Sequence, residues 1–422
     1  MQPATAWDWS PGKKDIWDLS KHSREAQWHE ELYASPDGEK TASIAKYGDE
    51  GFGICVNGQA QERLFEKIWN LRFAPDGRLT AIVQEEMDWS VLVDDEVWPE
   101  EYAFVWGVQF SQTGGTIAAS IQQDGEYGMV VNGEAWPTLY QNANNFVLAK
   151  DGSATAAVVQ VKNIPQADIW TYKEGCFSVA IDGNAWDTSF MNCWTPVFDA
   201  EAKRVACQVR HTLYDYSIVV DGQAWSSTFP SVWDPCFNPA TGAVAAPVRM
   251  AGKWGMAQDN ELIWDAKFFN CWNQQFSADG KNLWAIVAPK FGRWTLAVNG
   301  QVWGKTFGTM VTDMTVAPDG KHAAAVGKEG DKYAIIANDT IWVGWYDMVW
   351  KPVFSSDSHN VAAKVKRAGD RYTVVINGQV HNEDFDQCWD PVFSPEGTKV
   401  MLRVVKDGKY SRIVIPVPSS HH

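Results

Sequence analysis

Several things that would have pointed to a known chemistry are missing from this 422-residue chain. Its seven cysteines (Cys55, Cys176, Cys193, Cys207, Cys236, Cys271, Cys388) are scattered, and no two have C-x-x-C spacing. That excludes the usual zinc, iron–sulfur and haem attachment patterns, so no cofactor and no metal is expected. Cys193, Cys271 and Cys388 each directly precede a Trp, as packing positions would. Basic residues are in short supply: Lys+Arg 36 against Asp+Glu 52 leaves a net charge of -16. Such a surface argues against nucleic acid and against direct contact with an anionic membrane. No apolar run approaches the roughly 18 residues that span a bilayer. The first residues carry neither a basic region nor an apolar one, so the expected compartment is the cytoplasm.

Catalytic templates are also missing. There is no G-x-S-x-G elbow, no phosphate-cradling glycine loop and no H-E-x-x-H helix. The six histidines outside the tail (His22, His29, His211, His322, His359, His381) fall in different parts of the chain without ligand spacing, and His421-His422 close it. Carboxylates abound, but Asp37, Asp76, Asp279 and Asp319 sit in turn sequences where hydrogen bonding to the backbone explains them. Facing carboxylates in a central channel remain an open alternative.

Tryptophan is what the chain has in excess, with 24 residues. The excess turns out to be periodic. Trp389-Asp-Pro-Val-Phe393 is echoed by Trp350-Lys-Pro-Val-Phe354, Trp233-Asp-Pro-Cys-Phe237 and Trp194-Thr-Pro-Val-Phe198. Aligned on the final apolar residue, the copies fall at Tyr33, Phe73, Phe110, Leu148, Phe198, Phe237, Phe276, Val316, Phe354 and Phe393. Successive spacings are 40, 37, 38, 50, 39, 39, 40, 38 and 39 residues. Two further signals run in phase. Tight-turn pairs recur at Asn57-Gly58, Asp94-Asp95, Asn132-Gly133, Asp182-Gly183, Asp221-Gly222, Asp259-Asn260, Asn299-Gly300, Asn338-Asp339 and Asn377-Gly378. Five residues before each stands an aromatic, from Phe52 and Trp89 through to Tyr372, and Tyr410 continues the series.

Within the last full unit four short strands are expected, at 352–355, 360–366, 371–376 and 379–385. The Ser-Pro-Asp-Gly turn Ser35–Gly38 and variants such as Ser394–Gly397 join the first strand to the second. Four strands in about 40 residues, repeated, predict an all-β fold: a β-propeller of about ten four-stranded units in one domain. Because propellers commonly have four to eight blades, two smaller rings stay open as an alternative. The last unit lacks a fourth strand, and Trp17–Ser20 is predicted to complete it by joining the termini in one closed ring.

Phe73-Ala-Pro-Asp-Gly, Val316-Ala-Pro-Asp-Gly-Lys and Phe393-Ser-Pro-Glu-Gly resemble the repeats of WD40-like, TolB-type propellers. That resemblance implies architecture rather than activity. In composition and size the chain also resembles the tryptophan-rich subunit of the Tmc-type transmembrane redox complexes of sulfate-reducing bacteria. This second resemblance implies protein partners in a redox complex, with membrane association only through those partners.

Fourteen tryptophans recur at fixed repeat positions and are expected to fill the spaces between blades. Seven follow the hairpin turn, from Trp98 to Trp342, and seven stand four before the anchor (Trp69, Trp106, Trp194, Trp233, Trp272, Trp350, Trp389). Departures from the repeat are the candidate partner-binding positions. They are Trp7 and Trp9 near the start, Ile169, Trp170 and Tyr172 in an insertion at 162–175, and Trp345 and Tyr346. The expected function is a non-catalytic interaction subunit. A propeller hydrolase or lyase and a Trp-rich ligand-binding propeller are the alternatives.

Overall fold

The repeat becomes ten sheets, and the ten sheets form one propeller ring. The computed structural model describes residues 4–164 and 168–418; His421 and His422, and residues 165–167 of the insertion, lie outside it. Each blade is an antiparallel meander, as in blade 8, where Met310–Val316, Ala323–Glu329, Lys332–Ala337 and Thr340–Ile341 pair in chain order. The first strands of neighbouring blades approach one another, as Cys236–Phe237 does Asn270–Phe276. Among the described residues the fourth strands make no comparable approach, so the first strands line the axis.

Alternating hairpins of a meander lie at opposite ends. One face of the ring therefore carries the first-to-second and third-to-fourth turns. The opposite face carries the second-to-third hairpin tips and the crossovers between blades.

The turn residues do two jobs. Asn57, Asp94, Asn132, Asp182, Asp221, Asp259, Asn299, Asn338 and Asn377 all adopt positive φ. Each also accepts, through its side chain, the backbone N–H that opens the second strand of its own blade, as Asn132 does from Ile117 at 2.9 Å. Only a short side chain with an acceptor oxygen meets both demands, which explains the Asn/Asp of the repeat.

The aromatic five before the turn opens the third strand and has a partner that the sequence periodicity did not reveal. Trp89 pairs Tyr102, Tyr127 pairs Tyr140, Phe177 pairs Phe190, Tyr216 pairs Phe229, Trp294 pairs Phe307, Tyr333 pairs Tyr346, and Tyr372 pairs Phe385. Phe52 with Phe65 and Trp254 with Phe268 repeat the theme. These pairs return the chain to the hairpin-tip face before it crosses to the next blade.

The predicted closure is present and is longer than expected. Gly12–Asp18 pairs antiparallel with Lys409–Pro416, with Trp17 opposite Tyr410, and Ser20 lies just past the strand end. Blade 10 then locks onto blade 1: the buried Tyr410 hydroxyl donates to the Gly38 carbonyl at 3.0 Å, and Arg403 and Arg412 donate to the Ser35 and Asp37 carbonyls. No helix among the described residues is long and apolar enough to cross a membrane.

The periodic tryptophans divide into two kinds. Those after the turn behave as mortar, with Trp98, Trp136, Trp186, Trp264 and Trp342 lying against the turn glycines of the next blade, Gly133, Gly183, Gly222, Gly300 and Gly378. Trp17 does the same to Gly58 across the closure. The first-strand set meets expectation only in part: Trp69 and Trp106 do reach Phe104 and Phe146 of the next blade. Trp69, Trp106, Trp194, Trp233, Trp350 and Trp389 each meet the third-strand aromatic of their own blade, and Trp69 and Trp233 keep 38% and 43% of their surface exposed. The cause is local. Just after this Trp the strand bulges, through a left-handed residue (Asn70, Gly107, Asn273) or by splitting at Trp-x-Pro (Pro196, Pro235, Pro352, Pro391). The bulge breaks the alternation that would have buried the ring.

Candidate interaction face

The second-to-third hairpin tips differ sharply around the ring. In blades 3, 9 and 10 they are Asp124-Gly125, Gly369-Asp370 and Asp407-Gly408, short polar turns. Blades 4 to 7 instead present large apolar side chains to solvent: Trp170 at 72%, Tyr214 at 79%, Met250 at 40% and Phe291 at 86% exposed. Fully burying one such side chain is worth about 1.5–3 kcal/mol, so the solitary fold gains nothing from holding four of them out on adjacent blades. Blade 2 adds Met87, apart from this arc and between acids Glu86 and Asp88.

The insertion lies within this face, replacing the two-residue turn of blade 4. It forms a short helix, Ile169–Glu174, capped by Asp168, whose carboxylate accepts from the N–H groups of Trp170 and Thr171. Tyr172 anchors the helix by donating its hydroxyl hydrogen to Asn192 on blade 5. Gly175 ends it at φ +92, with its Cα against the Phe190 backbone, where a Cβ would meet main chain at 3.0 Å. Ile169 and Trp170 project outward from this base, and Lys173 rests over the Trp170 ring at 4.9 Å.

The other sequence candidates scatter. Trp9 is buried against Met401 and Val414, and Trp7 stacks on it at 6.1 Å, so both cover blade 10 beside the closure. Trp345 is half exposed and meets Phe307 edge-on at 6.3 Å. Tyr346 is buried as the partner of Tyr333 and belongs to the repeating aromatic pairs. Thus Ile169, Trp170 and Tyr172 lie together on one short helix, while the remaining four lie elsewhere in the chain.

Tyr214, Met250 and Phe291 were not singled out from the sequence, although a signal exists. Lys290-Phe-Gly-Arg293 and Met250-Ala-Gly-Lys253 place apolar residues where Gln123-Asp-Gly-Glu126 places polar ones.

Three before the anchor, at the bulge or break of the innermost strand, stand Asn70, Asn145, Asp234, Asp313 and Asp390. Partial desolvation raises the Asp234 carboxyl above the usual range. Lys364 reaches Asp390 at 3.8 Å. Among the described residues, no three His, Cys, Asp or Glu side chains gather into a metal-holding group.

No protein-family model matches the chain. No curated protein matches it either. A crystal structure of the eukaryotic initiation factor is similar at 12% identity and a TM-score of 0.45, covering 92% of this chain and 93% of that one. A likeness at that level adds nothing to the sheet topology described above.

Proposed function

We propose that the protein is a non-catalytic docking scaffold, and that its partners seat on the hairpin-tip face over blades 4 to 7. The observation that carries this is the run of exposed Trp170, Tyr214, Met250 and Phe291 on four adjacent tips of a closed ring. Aromatic and Met side chains are the types enriched where protein interfaces bury their centres. Hydrogen-bonded closure holds the tips at fixed spacing, so little order has to be gained on binding.

The resemblance to the tryptophan-rich subunit supplies the finer reading: the partners are protein subunits of a membrane-associated electron-transfer complex, and the propeller sits on its cytoplasmic side without inserting in lipid. In this role the tryptophans hold blades together and bind no cofactor.

The test is quantitative affinity purification from the native cells, comparing the tagged protein with a Trp170→Ser/Tyr214→Ser variant. The expected result is a defined set of redox subunits recovered with the parent and depleted from the variant. Purification of the parent alone, or equal recovery by both, contradicts the scaffold reading. Recovery of partners unrelated to electron transfer, depleted by the variant, keeps the scaffold and removes the redox assignment.

A further inference from the structure

The net charge of -16 conceals a local inversion. Residues 249–254, 265–270 and 290–294 meet on the hairpin-tip face of blades 6 and 7. They hold Arg249, Lys253, Lys267, Lys290 and Arg293 against one carboxylate, Asp265. Within this basic patch stand Phe291, Phe269 and Met250, exposed by 86%, 44% and 40%. Phe269 and Phe291 meet edge to face at 6.1 Å, and the Lys253 ammonium lies over the Phe269 ring at 2.9 Å. Arg293 donates its Nε–H to Thr306 at 3.1 Å and reaches Glu329 of blade 8 at 3.6 Å, and about half of its side chain stays in water.

A groove opens beside these tips. Its volume is about 650 Å³, and Trp233, Trp272, Trp294 and Pro235 give it apolar walls. Trp233 stacks flat on Trp254 at 5.4 Å, which fixes that wall. Asn270 adds a polar group, and the one acid in the lining, Asp234, lies in the break between the inner-strand pieces Ser231–Val232 and Cys236–Phe237.

We propose that this patch and groove dock a short acidic segment of a partner protein, carrying an aromatic or large apolar side chain among its carboxylates. Anchors of that kind bury in the Trp-walled groove and against Phe269 and Phe291. The flanking carboxylates meet Arg249, Lys253, Lys290 and Arg293. The size of the occupant follows from the charge distribution. Over the rest of the chain the net charge is still more negative than the total, so an extended polyanion such as nucleic acid or an anionic bilayer meets repulsion beyond the patch. A short segment stays within about 8 Å of the cations, one screening length at physiological ionic strength, and feels chiefly their attraction. This inference rests on the docking reading above and gives it a partner chemistry.

The probe is a fluorescein-labelled peptide alternating Asp-Glu pairs with Phe, titrated with the full chain and followed by anisotropy. Saturable binding that weakens with salt is expected. It should fall at least about tenfold in Phe291→Ser and again in Lys290→Glu/Arg293→Glu, while Met87→Ser on the distant blade 2 tip changes nothing. Circular dichroism and thermal unfolding matching the parent keep those comparisons valid; should the charge reversal unfold, Phe291→Ser and the salt dependence decide. A peptide with Ser for Phe should bind poorly, as should one with Lys for the acids. No binding, binding indifferent to the patch variants, or stronger binding of phosphatidylserine vesicles or single-stranded DNA overturns the proposal. If the peptide fails while affinity purification still recovers partners lost on Trp170→Ser/Tyr214→Ser, the scaffold stands and only this site falls.

Discussion

At the scale of single residues, hydrogen bonding decides which polar groups are committed to structure. Asp279 receives the Ser277 hydroxyl at 2.6 Å and the Lys281 N–H at 3.1 Å, and these bonds lower its carboxyl to about 2. A depressed carboxylate keeps its turn bonds above the unfolded value and loses them only as pH falls through about 2. Ser277→Ala removes the largest cause, so a carboxyl titration by NMR should show Asp279 moving back toward the ordinary aspartate range. An unchanged titration would mean the hydroxyl is not its partner. The turn role of this aspartate was legible in Ser277-Ala-Asp-Gly, because a short acidic side chain before Gly has few other uses. Burial was legible for the cysteines before tryptophan, and it pushes the Cys388 thiol up to about 12, well away from reactive thiolates. Exposure was not legible for Trp69 and Trp233. Their positions repeat as faithfully as any core residue, and the strand bulge or break that follows them leaves no mark in that spacing.

The elements extend this lesson. Strand order and closure could be read from phase alone, since a unit missing its fourth strand requires one from elsewhere. Gly12–Asp18 supplies it, although the visible signal covered only its last residues. The pairing of third-strand aromatics with Tyr102, Tyr140, Phe229 and their equivalents stayed hidden. Those partners lie in crossovers whose other residues vary, so no motif surrounds them. The closure makes a demand that can be measured. Removing residues 1–20 leaves Lys409–Pro416 as an unpaired edge, and the truncated chain should self-associate in light scattering while the parent does not. Tyr410→Phe is gentler: losing one buried hydroxyl bond to Gly38 should cost about 1–2 kcal/mol and lower the thermal midpoint. Tyr127→Phe, whose hydroxyl has only a long contact with Gln122 at 3.4 Å, should barely move it. A truncated chain that stays monomeric with an unchanged midpoint would contradict closure through this strand.

For the whole molecule, ten nearly equal blades build a disc whose two ends do different things. The turn face repeats closely because each Asn or Asp must cap its own second strand. The hairpin-tip face is free to vary, and it varies in blocks: apolar tips on blades 4 to 7, with the basic excess gathered on blades 6 and 7. Charge counted over the chain therefore misjudged the surface at the scale where partners touch it. The fold was legible because repetition imposes it on every unit. The face was harder to see because it consists of exceptions, of which only the longest, at Trp170, stood out. Hydroxyl-radical footprinting of the protein within its purified native assembly, against the protein alone, measures this most directly. Protection concentrated on Trp170, Tyr214, Met250 and Phe291, with the opposite turns still reactive, is the predicted result. Protection of the turn face with those four side chains fully labelled would contradict it.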